Sequence, residues 1–554
     1  MARALHRWLP FLAWPRLTAE LARGELLAGV TVALLAVPQA VAYAALAGMP
    51  VVTGIYASFL PSLVAALFSA SPRVSVGPTA LSCLLVHASL VGLAAPGSAE
   101  WVGLAIWLAL LSGLIQVALG AGGFGWVVQL VSAPVLMAFT QAATVLIVLS
   151  QLPALLGLPP GLEVLREGVV HWGAAAFGLG SLLVLVLGKQ VRPQFPAVLV
   201  VMVASASLSW ALDFGGRGGA VVGAVPDGLP GLVLPPAIDW HTLGSLVVPA
   251  LVITLVSFLE TASSAKNENR LLRQPWNQNQ DLLAQGLAKL AAAVTGTFPT
   301  SSSFSRSALY LYSGARSGWA SVFTVAVVVL VLFLLVPALA HIPKAVLAAV
   351  VVAAVLGLIR PSQFVQLWRT ERVECVIAGI TAAITLLTAP YIYWGVLAGV
   401  LMGLGYFLYQ RLHPRIIEVG LHPDGSLRDR HLWHLAPLAP ALYALRMDAE
   451  LDFAAAATLE RNVTEYLAAH PQVRHVCLFA QPINRIDATG AETFGQMRRN
   501  LAERQVVLHI SGIKLPVEKV LQRAGELPAS PWLRLYRTDA EALQALQSVP
   551  EPMA

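Results

Sequence analysis

Long apolar runs, separated by short polar or proline-containing breaks, fill most of this chain as far as residue 411. A helix needs about 20 consecutive apolar residues to cross a bilayer. The runs predict fourteen membrane spans, of which 282–296 and 303–313 are too short to cross alone as continuous helices. The other predicted spans are 27–47, 52–70, 77–94, 101–121, 130–152, 172–188, 195–212, 243–264, 320–340, 345–359, 373–389 and 391–410.

The composition agrees with a polytopic helical membrane protein. The 554 residues are 57% hydrophobic and 12% charged, with a mean hydropathy of +0.72, whereas soluble domains carry roughly 25% charged residues. These values exclude a disordered chain, a coiled coil and a simple soluble enzyme. The cysteines Cys83, Cys375 and Cys477 lie far apart in the sequence, so we expect neither a disulfide framework nor a metal site.

The basic residues predict the orientation in the membrane. If the N-terminus lies inside, the outer loops hold only Arg166, Arg217 and Lys344 among the basic residues that we assign to loops. Cytoplasmic loops of membrane proteins carry an excess of Lys and Arg. We therefore expect an integral protein of the inner or plasma membrane with both termini in the cytoplasm, and we read the net charge of +6 as loop charge rather than nucleic-acid binding. The basic residues assigned to the inner side are Arg73, Lys189, Arg192, Lys266, Arg270, Arg273, Arg316, Arg360, Arg369, Arg372, Arg411 and Arg415.

The composition changes sharply near residue 411, and this change sets the domain boundaries. We predict a cytoplasmic N-terminal segment, 1–24, a transmembrane domain, 25–411, a linker, 412–438, and a cytoplasmic α/β domain, 439–554. Strands alternating with helices are typical of a sheet covered by helices. In this last domain we predict strands at 441–448, 473–480 and 505–511 and helices near 454–469, 489–503 and 515–524.

Two short, interrupted segments stand out within the transmembrane domain: SVGPTA (75–80) and TFPTSSSFSR (297–306). Each places Pro-Thr and small residues just before an apolar stretch, in the third and the tenth predicted spans. Matching broken segments in two halves of a chain are typical of inverted-repeat transporters. Free backbone N–H groups at two facing helix starts would form an anion site. The alternative is that both segments are Ser/Thr-rich kinks that ease helix packing.

Polar residues inside the apolar runs are the other candidates for function. Arg306 follows the second interrupted segment, and Glu260 lies within an apolar run with Ser264 one turn further on. A charged residue at membrane depth is costly and marks a site or a pair. We predict that Arg306 adds positive potential to the anion site and that Glu260 and Ser264 couple transport to a proton, with Na⁺ as the alternative ion. A static structural role, including a salt bridge between Glu260 and Arg306, stays open. Gln39 and Tyr43 follow Pro38 and are predicted to line the site.

These segments resemble the SulP anion permease family, which includes animal solute-carrier-26 transporters, plant sulfate transporters and prestin. The resemblance implies fourteen spans in two seven-segment inverted repeats, a core domain that moves against a gate domain, and a homodimer. It places the anion site between the starts of the third and tenth helices, and the family's acidic position on Glu260. The resembling stretches are 37–68, SVGPTA, 132–143, LVSFLETASSAK (255–266) and 280–317, in which Phe304-Ser305-Arg306-Ser307-Ala308 is the most specific.

The residues and the resemblance together define the predicted sites. The tail resembles the family's STAS domain, and the loop from Asn484 to Gly490 resembles a phosphorylated Asp-Ser-Ser-Gly pattern in which Thr489 takes the phosphorylated position. Asp487 also suits a helix N-cap, so a structural role for this loop competes with a regulatory one. We assign substrate binding to Gln39, Tyr43, Thr79, Ala80, Ser303, Phe304, Ser305 and Arg306.

The predicted function is secondary active transport of a small oxyanion such as sulfate, coupled to protons. Alternatives in the same class are a dicarboxylate or bicarbonate transporter, Na⁺-coupled or exchanging. Different classes are an anion channel and a membrane anion sensor. We expect no enzyme activity, no cofactor and no nucleic-acid partner, and the predicted partners are the anion, the lipid bilayer, a second copy of the chain and a cytoplasmic protein that binds the STAS domain.

Overall fold

The computed structural model describes residues 9–158, 170–191, 196–223, 228–334 and 339–547. The chain forms two compact units, Met1–Gly403 and Leu404–Ala554. The boundary falls inside the last apolar helix, Tyr393–Leu412.

Helices joined by short turns build the first unit. Short 3-10 helices lie at Pro10–Ala13, Gly125–Leu130 and Leu356–Leu358, and two strands of two residues each, β1 (Val76–Gly77) and β2 (Ser301–Ser302), interrupt the helical pattern. The α-helices, of which the last continues into the second unit, are α1 (Ala19–Leu46), α2 (Val51–Ala57), α3 (Leu60–Phe68), α4 (Ala80–Leu90), α5 (Ala99–Ala121), α6 (Ala133–Leu156), α7 (Trp172–Val191), α8 (Ala197–Ala211), α9 (Trp240–Leu272), α10 (Gln278–Val294), α11 (Phe304–Tyr312), α12 (Trp319–Leu334), α13 (Lys344–Val355), α14 (Ser362–Thr370), α15 (Arg372–Leu387) and α16 (Tyr393–Leu412).

Each predicted membrane span falls on one of these helices, although the span 52–70 is divided between α2 and α3. Residues 335–338 of the span 320–340 and residue 195 of the span 195–212 lie outside the described residues. Among the described residues, 7 helical segments are long and apolar enough to cross a membrane. Further apolar helices, such as α4, are shorter. The count of fourteen crossing segments therefore stays a prediction.

Glycines allow two pairs of helices to pack backbone against backbone. A Cβ at Gly54 of α2 would lie 2.0 Å from the carbonyl oxygen of Ala40 in α1. A Cβ at Gly286 of α10 would lie 2.6 Å from the backbone nitrogen of Val117 in α5. Because helices approach this closely only through small residues, the side chains one turn away on α5 and α10 are brought into contact.

The second unit contains a sheet of six strands with helices. The strand order is β4-β3-β5-β6-β7-β8, in which β3 is antiparallel to both of its neighbours and the strands from β5 to β8 are parallel. The elements are β3 (Ile416–Leu421), β4 (Leu427–Asp429), β5 (Leu442–Met447), α17 (Ala456–Ala469), β6 (His475–Phe479), α18 (Ala488–Glu503), β7 (Val507–Ser511), α19 (Leu515–Arg523), β8 (Leu533–Tyr536) and α20 (Asp539–Gln547).

Apolar residues cover both faces of this sheet. On one face, Leu478 and Ile510 belong to a buried cluster with Phe494 of α18. On the other face, Cys477 packs in a cluster with Ala542 of α20. The alternation along each strand explains this division, since successive side chains point to opposite faces.

The three predicted strands correspond to β5, β6 and β7, but the sheet is wider than predicted. The segment 412–438, predicted as a linker, contributes β3 and β4, and β8 follows the last predicted helix. Strands β4 and β8 form the two edges of the sheet, whereas β3, with four buried residues, lies between β4 and β5.

Candidate functional site

The two interrupted segments meet. Strand β1 pairs antiparallel with β2, with Val76 opposite Ser302. The backbone N–H of Ser303 donates to the carbonyl oxygen of Ser75 at 2.9 Å, which continues the pairing by one residue. The structure therefore brings together the segments that the sequence analysis matched, although they are more than 200 residues apart along the chain.

Each segment leads directly into a helix start. Helix α4 begins after Thr79, whose hydroxyl accepts the backbone N–H of Ser82 at 3.3 Å. Helix α11 begins after Ser303, whose hydroxyl accepts the backbone N–H of Arg306 at 3.4 Å. A helix start keeps further N–H groups without intrahelical partners and carries partial positive charge. The β1–β2 pairing therefore fixes two positive helix ends next to each other.

The carboxylate of Glu260, on α9, lies between these two segments. Its Oε2 accepts hydrogen bonds from the hydroxyl of Ser301 at 2.5 Å and from that of Thr79 at 3.2 Å, and the hydroxyl of Ser82 lies 3.5 Å away. The side chain is only partly buried. Glu260 is thus held by neutral hydroxyls that belong to both helix starts.

Arg306 lies next to the pairing of β1 with β2, which we call the crossing. Its side chain is 2% exposed. Its Nε donates to the hydroxyl of Ser75 at 3.2 Å, and its Nη1 donates to the carbonyl oxygen of Pro78 at 3.0 Å. Within the described residues, Nη2 has no hydrogen-bond partner, and Arg306 makes no ion pair with Glu260. The salt bridge considered as an alternative is therefore not formed in this conformation, and the guanidinium braces the strand that leads into α4.

Strand β2 is anchored from a second direction. The hydroxyls of Ser302 and Thr261 lie 2.8 Å apart, which joins β2 to α9. The side-chain amide of Gln285, on α10, donates to the Ser302 hydroxyl at 3.0 Å. The start of α11 is therefore attached to α9 and α10 as well as to β1.

Gln39 and Tyr43 lie on α1, each only 6% exposed. The Oε1 of Gln39 has no hydrogen-bond partner among the described residues. Tyr43 packs in the apolar cluster that includes Cys83 and Leu84 of α4, within electrostatic range of Arg306. Tyr43 is thus near Arg306, and Gln39 lies one turn before Tyr43 on the same helix; their role in lining the site stays a prediction.

The remaining predicted residues differ in their exposure. Ala80 and Ser303 are half-buried, whereas Phe304 is 55% exposed and Ser305 is also exposed. The Ser305 and Ser303 hydroxyls lie 3.2 Å apart. Ser264, assigned to ion coupling, donates to the backbone carbonyl of Glu260 at 3.2 Å. It therefore contacts the main chain of Glu260, whereas the carboxylate is bound by Thr79 and Ser301.

The sequence analysis missed a cation next to this site. Lys289, on α10, is fully buried, and its Nζ donates to Gln116 Oε1 at 2.8 Å and to the Ser257 hydroxyl at 2.5 Å. The signal was present, because a lysine within the apolar run 285–296 is as unusual as Glu260 within its own. In the sequence, this run is assigned only to the short predicted span 282–296.

Another carboxylate, which is fully buried, lies further along α9. Glu268 is 1% exposed, and its Oε1 lies 2.9 Å from Arg73 Nε. Arg73 also donates to the carbonyl oxygen of Ala315 at 3.2 Å. This ion pair connects the loop before β1 with the end of α9 and the turn that follows α11.

In the second unit, the predicted regulatory loop forms a helix start. Asp487 caps α18, and its Oδ1 accepts the backbone N–H of Gly490 at 2.8 Å. Its other carboxylate oxygen accepts the N–H of Phe453 at 3.0 Å. Thr489 is exposed in the first turn of the helix. Both the structural and the regulatory interpretations fit this geometry.

The arrangement in the first unit places positive charge and a carboxylate at the same pairing of β1 with β2. Two helix starts and Arg306 supply the positive charge. Glu260 is the acidic group in hydrogen-bond contact with both segments.

The chain matches family models and known proteins along most of its length. The family model of the sulfate permease family matches residues 23–381, and a STAS domain model matches residues 436–542. A probable sulfate transporter of Mycobacterium tuberculosis is 32% identical over 95% of this chain and 95% of its own length. The chloroplastic sulfate transporter 4.1 of Arabidopsis thaliana is 30% identical over 98% of this chain and 82% of its own length.

A solved structure shows the same fold. The murine solute carrier 26 family member A9, an anion transporter in the inward-facing state, matches with a TM-score of 0.89 and 20% identity over 99% of this chain and 95% of its own. The predicted helical membrane fold with a C-terminal STAS domain is confirmed, and so is the prediction of a transporter rather than an enzyme. The chain belongs to the sulfate permease family of anion transporters.

Proposed function

We propose that this chain is a secondary active transporter that moves a small oxyanion, with sulfate as the first candidate, together with a proton by alternating access. The observation that carries the proposal is the position of Glu260. Its carboxylate accepts hydrogen bonds from Thr79, which caps α4, and from Ser301, in the strand that precedes α11. One titratable group therefore contacts both of the helix starts between which the anion would bind.

The charges at the crossing favour coupling between the proton and the anion. Each helix start carries roughly half a positive elementary charge, and Arg306 adds a positive charge behind them. An ionised Glu260 opposes this potential, with Lys289 and Arg306 as the charged groups within electrostatic range. A proton on Glu260 removes a negative charge from the surroundings of the anion. Proton and anion therefore favour each other's binding, and an inward proton gradient drives anion uptake.

The hydrogen bonds around β1 and β2 support alternating access. Glu260, Thr261 and Ser302 tie α9 to the starts of α4 and α11. Elements joined in this way keep their mutual geometry when they move. We infer that they move as one body and carry the anion between the two sides, against helices that remain in place.

Sulfate is the first candidate because both curated relatives described above are named sulfate transporters. Helix starts recognise negative charge more than shape. Dicarboxylates and bicarbonate are therefore the competitors against which sulfate is measured.

The test is uptake of radiolabelled sulfate into proteoliposomes that contain the purified protein. Uptake is measured with an inward proton gradient, with an inward Na⁺ gradient and with neither, and with fumarate or bicarbonate as competitor. Saturable sulfate accumulation that follows the proton gradient and ignores Na⁺ is the expected result. Empty liposomes and a proton ionophore are the controls.

The other outcomes contradict separate parts of the proposal. Accumulation driven by Na⁺ alone would overturn proton coupling. Uptake of a labelled competitor without sulfate uptake would replace the substrate and keep the mechanism. Binding of anions without movement of any of them would favour a membrane sensor, and downhill flux that no gradient concentrates would favour a channel.

We also propose that both termini face the cytoplasm and that two copies form a dimer. The orientation is supported by the excess of basic residues, including Arg73, Arg270 and Arg316, in the segments assigned to the inner side. Protease digestion of the STAS domain in right-side-out and inside-out vesicles tests the orientation. Only inside-out vesicles are expected to lose the domain.

A further inference from the structure

The buried lysine on α10 has no part in the mechanism described so far. Lys289 lies near the middle of an otherwise apolar stretch of that helix, and its side chain is 0% exposed. A buried ammonium group is tolerated only when oxygen atoms or a counter-charge surround it. Its partners therefore indicate what it does.

Those partners are oxygen atoms from two neighbouring helices. Nζ donates to Gln116 Oε1, on α5, at 2.8 Å and to the hydroxyl of Ser257, on α9, at 2.5 Å. The amide group of Gln116 also donates to the Ser257 hydroxyl and to the carbonyl oxygen of Thr254, each at 3.1 Å. Every one of these groups is buried, so the lysine fills a closed, oxygen-lined position.

This position adjoins Glu260. Ser257 lies one helical turn before Glu260 on α9, and its carbonyl oxygen accepts the hydroxyl of Ser301 at 3.3 Å. The same Ser301 hydroxyl lies 2.5 Å from Glu260 Oε2. One serine thus separates the residue that binds the ammonium group from the carboxylate, and Lys289 and Glu260 interact electrostatically.

The helix packing explains why the ammonium group lies there. Gly286 of α10 lies against Val117 of α5, so the backbones of these helices are in contact. Lys289 is almost one turn further along α10, next to Gln116 on the facing helix. The side chain has no route to solvent in this arrangement, and its charge stays with the oxygen atoms and with Glu260.

Amide and hydroxyl oxygens next to a carboxylate are also the ligands that a small metal cation requires. We propose that Lys289 is a tethered cation that occupies the place of a Na⁺ ion beside Glu260, so that transport needs no Na⁺ and Glu260 is left to the proton. This inference rests on the proposed role of Glu260. It specifies why a proton, rather than Na⁺, is the coupling ion.

The test removes the ammonium group of Lys289 by substitution and supplies Na⁺ in the medium. Lys289→Ala opens the position, Lys289→Gln removes the charge with less change in volume, and Lys289→Arg keeps the charge. Lys266→Ala, at an exposed lysine of α9, is the matched control. Sulfate uptake at a fixed proton gradient is measured in sodium and in choline media, and the unfolding temperature of each detergent-purified variant is measured in both salts at equal ionic strength.

For the wild type, Lys289→Arg and Lys266→Ala, we expect each protein to have the same uptake and the same unfolding temperature in sodium as in choline. For Lys289→Ala and Lys289→Gln, we expect uptake in choline to fall about tenfold or more, because Glu260 loses its buried counter-charge. Sodium should restore part of this uptake in Lys289→Ala and raise its unfolding temperature, since an ion that binds only the folded state stabilises it.

Two results would overturn the inference. One is a Lys289→Ala protein whose uptake and unfolding temperature are the same in both salts. The other is a wild type that Na⁺ already stabilises or stimulates. The unfolding temperatures separate this inference from the proposed function. A wild type without proton-driven uptake would refute the proposed coupling, whereas stabilisation by Na⁺ in Lys289→Ala, and not in the wild type, would still support the tethered cation.

Discussion

Two carboxylates on the same helix are held in different ways. Glu260 and Glu268 both lie on α9, about 12 Å apart along its axis by the rise per residue of a helix. Glu268 is paired with the Arg73 guanidinium at 2.9 Å. Glu260 is bound by the hydroxyls of Ser301 and Thr79. One carboxylate thus has a charged partner in direct contact, and the other has neutral donors.

The difference assigns the two residues to different tasks. A buried ion pair stabilises a structure as long as both partners keep their charge, and loss of one partner is costly. Hydroxyl groups adapt to either state of a carboxyl group, because they both donate and accept hydrogen bonds. Glu268 is therefore suited to holding elements together, and Glu260 to gaining and losing a proton.

The largest effect is expected from breaking the ion pair. Arg73→Ala leaves the Glu268 carboxylate buried without its partner, and we expect the free energy of unfolding to fall by about 3–5 kcal/mol. The measurement is denaturant titration of the purified protein. Arg270→Ala, at an exposed arginine on α9, the helix of Glu268, is the control and should change the stability little.

The double variant Arg73→Met/Glu268→Leu sharpens this prediction. It removes both charges and should recover most of the lost stability, since apolar residues of similar volume replace buried ion pairs well. If Arg73→Ala were as stable as Arg270→Ala, the distinction between a structural and a functional carboxylate would be wrong.

The second prediction concerns the cation behind the site. Arg306→Ala removes positive charge and the bond to Pro78, and we expect sulfate affinity to fall about 10- to 100-fold, the range for hydrogen bonds made by charged groups. Arg306→Lys keeps the charge and should retain more of the affinity. The KM for sulfate uptake is the measurement, with the unfolding temperature as a check on folding. Unchanged affinity in a folded Arg306→Ala protein would restrict Arg306 to a structural role.

The third prediction tests Glu260 itself. Glu260→Gln keeps the shape of the side chain and removes the titratable group. One coupled proton gives up to about tenfold accumulation per unit of pH gradient, and the variant should lose it while it still exchanges labelled sulfate across the membrane. In contrast to Arg73→Ala, it should alter the free energy of unfolding by about 1 kcal/mol or less. Proton-driven accumulation that survives this substitution would remove Glu260 from the coupling mechanism.

The smallest effect is a pH response that does not involve Glu260. In the STAS domain, burial, together with the neighbouring His475 and Arg534, lowers the pKa of His509 from 6.5 to about 4. Its ring nitrogens lie 3.1 Å from His475 and 3.0 Å from the hydroxyl of Tyr536. The unfolded chain therefore binds a proton that the folded domain excludes, and stability falls as the pH drops from 6.5 towards 4. At pH 6 this loss amounts to about 1 kcal/mol or less.

The His509 effect provides a control for every assay in an acidic buffer. The unfolding temperature of the full-length protein between pH 8 and pH 5 should fall less steeply for His509→Leu than for the wild type. Proton-driven uptake should be the same for both proteins, since the histidine is remote from the anion site in sequence and in domain. Parallel pH curves for the two proteins would show that another group governs the stability.

The sequence predicted the membrane helices and the central strands of the sheet, but it did not predict β3, β4 and β8. The apolar runs predicted the membrane helices, because a helix that crosses the lipid needs a long continuous stretch of apolar residues. The central strands β5, β6 and β7 were predicted because they are rich in apolar residues. Strands β4 and β8 were missed because an edge strand is stabilised by its neighbour more than by its own sequence. Strand β3, which lies between β4 and β5, is apolar, but it stands among the charged and proline residues that follow residue 411. The segment 412–438 therefore had the composition of a linker although it contains two strands.

The candidate site was predicted in part for a similar reason. Pro-Thr segments and isolated charges are local signals, and they identified Thr79, Glu260 and Arg306. Lys289 was missed because its run of small apolar residues was treated only as a short span. The hydroxyl of Thr79 and the carboxylate of Glu260 meet across 181 residues of sequence, and no local pattern predicts such a contact.

The sequence by itself determined that this chain is a helical membrane protein with an α/β tail, because the apolar runs and their breaks follow directly from the cost of exposing polar backbone to lipid. It also determined which residue types carry the chemistry. Only the tertiary structure decided their pairing: β1 with β2, Arg73 with Glu268, hydroxyls with Glu260 and oxygen atoms with Lys289. Each of these contacts joins residues from different helices or strands, and their geometry depends on how those elements pack rather than on the sequence around any one of them.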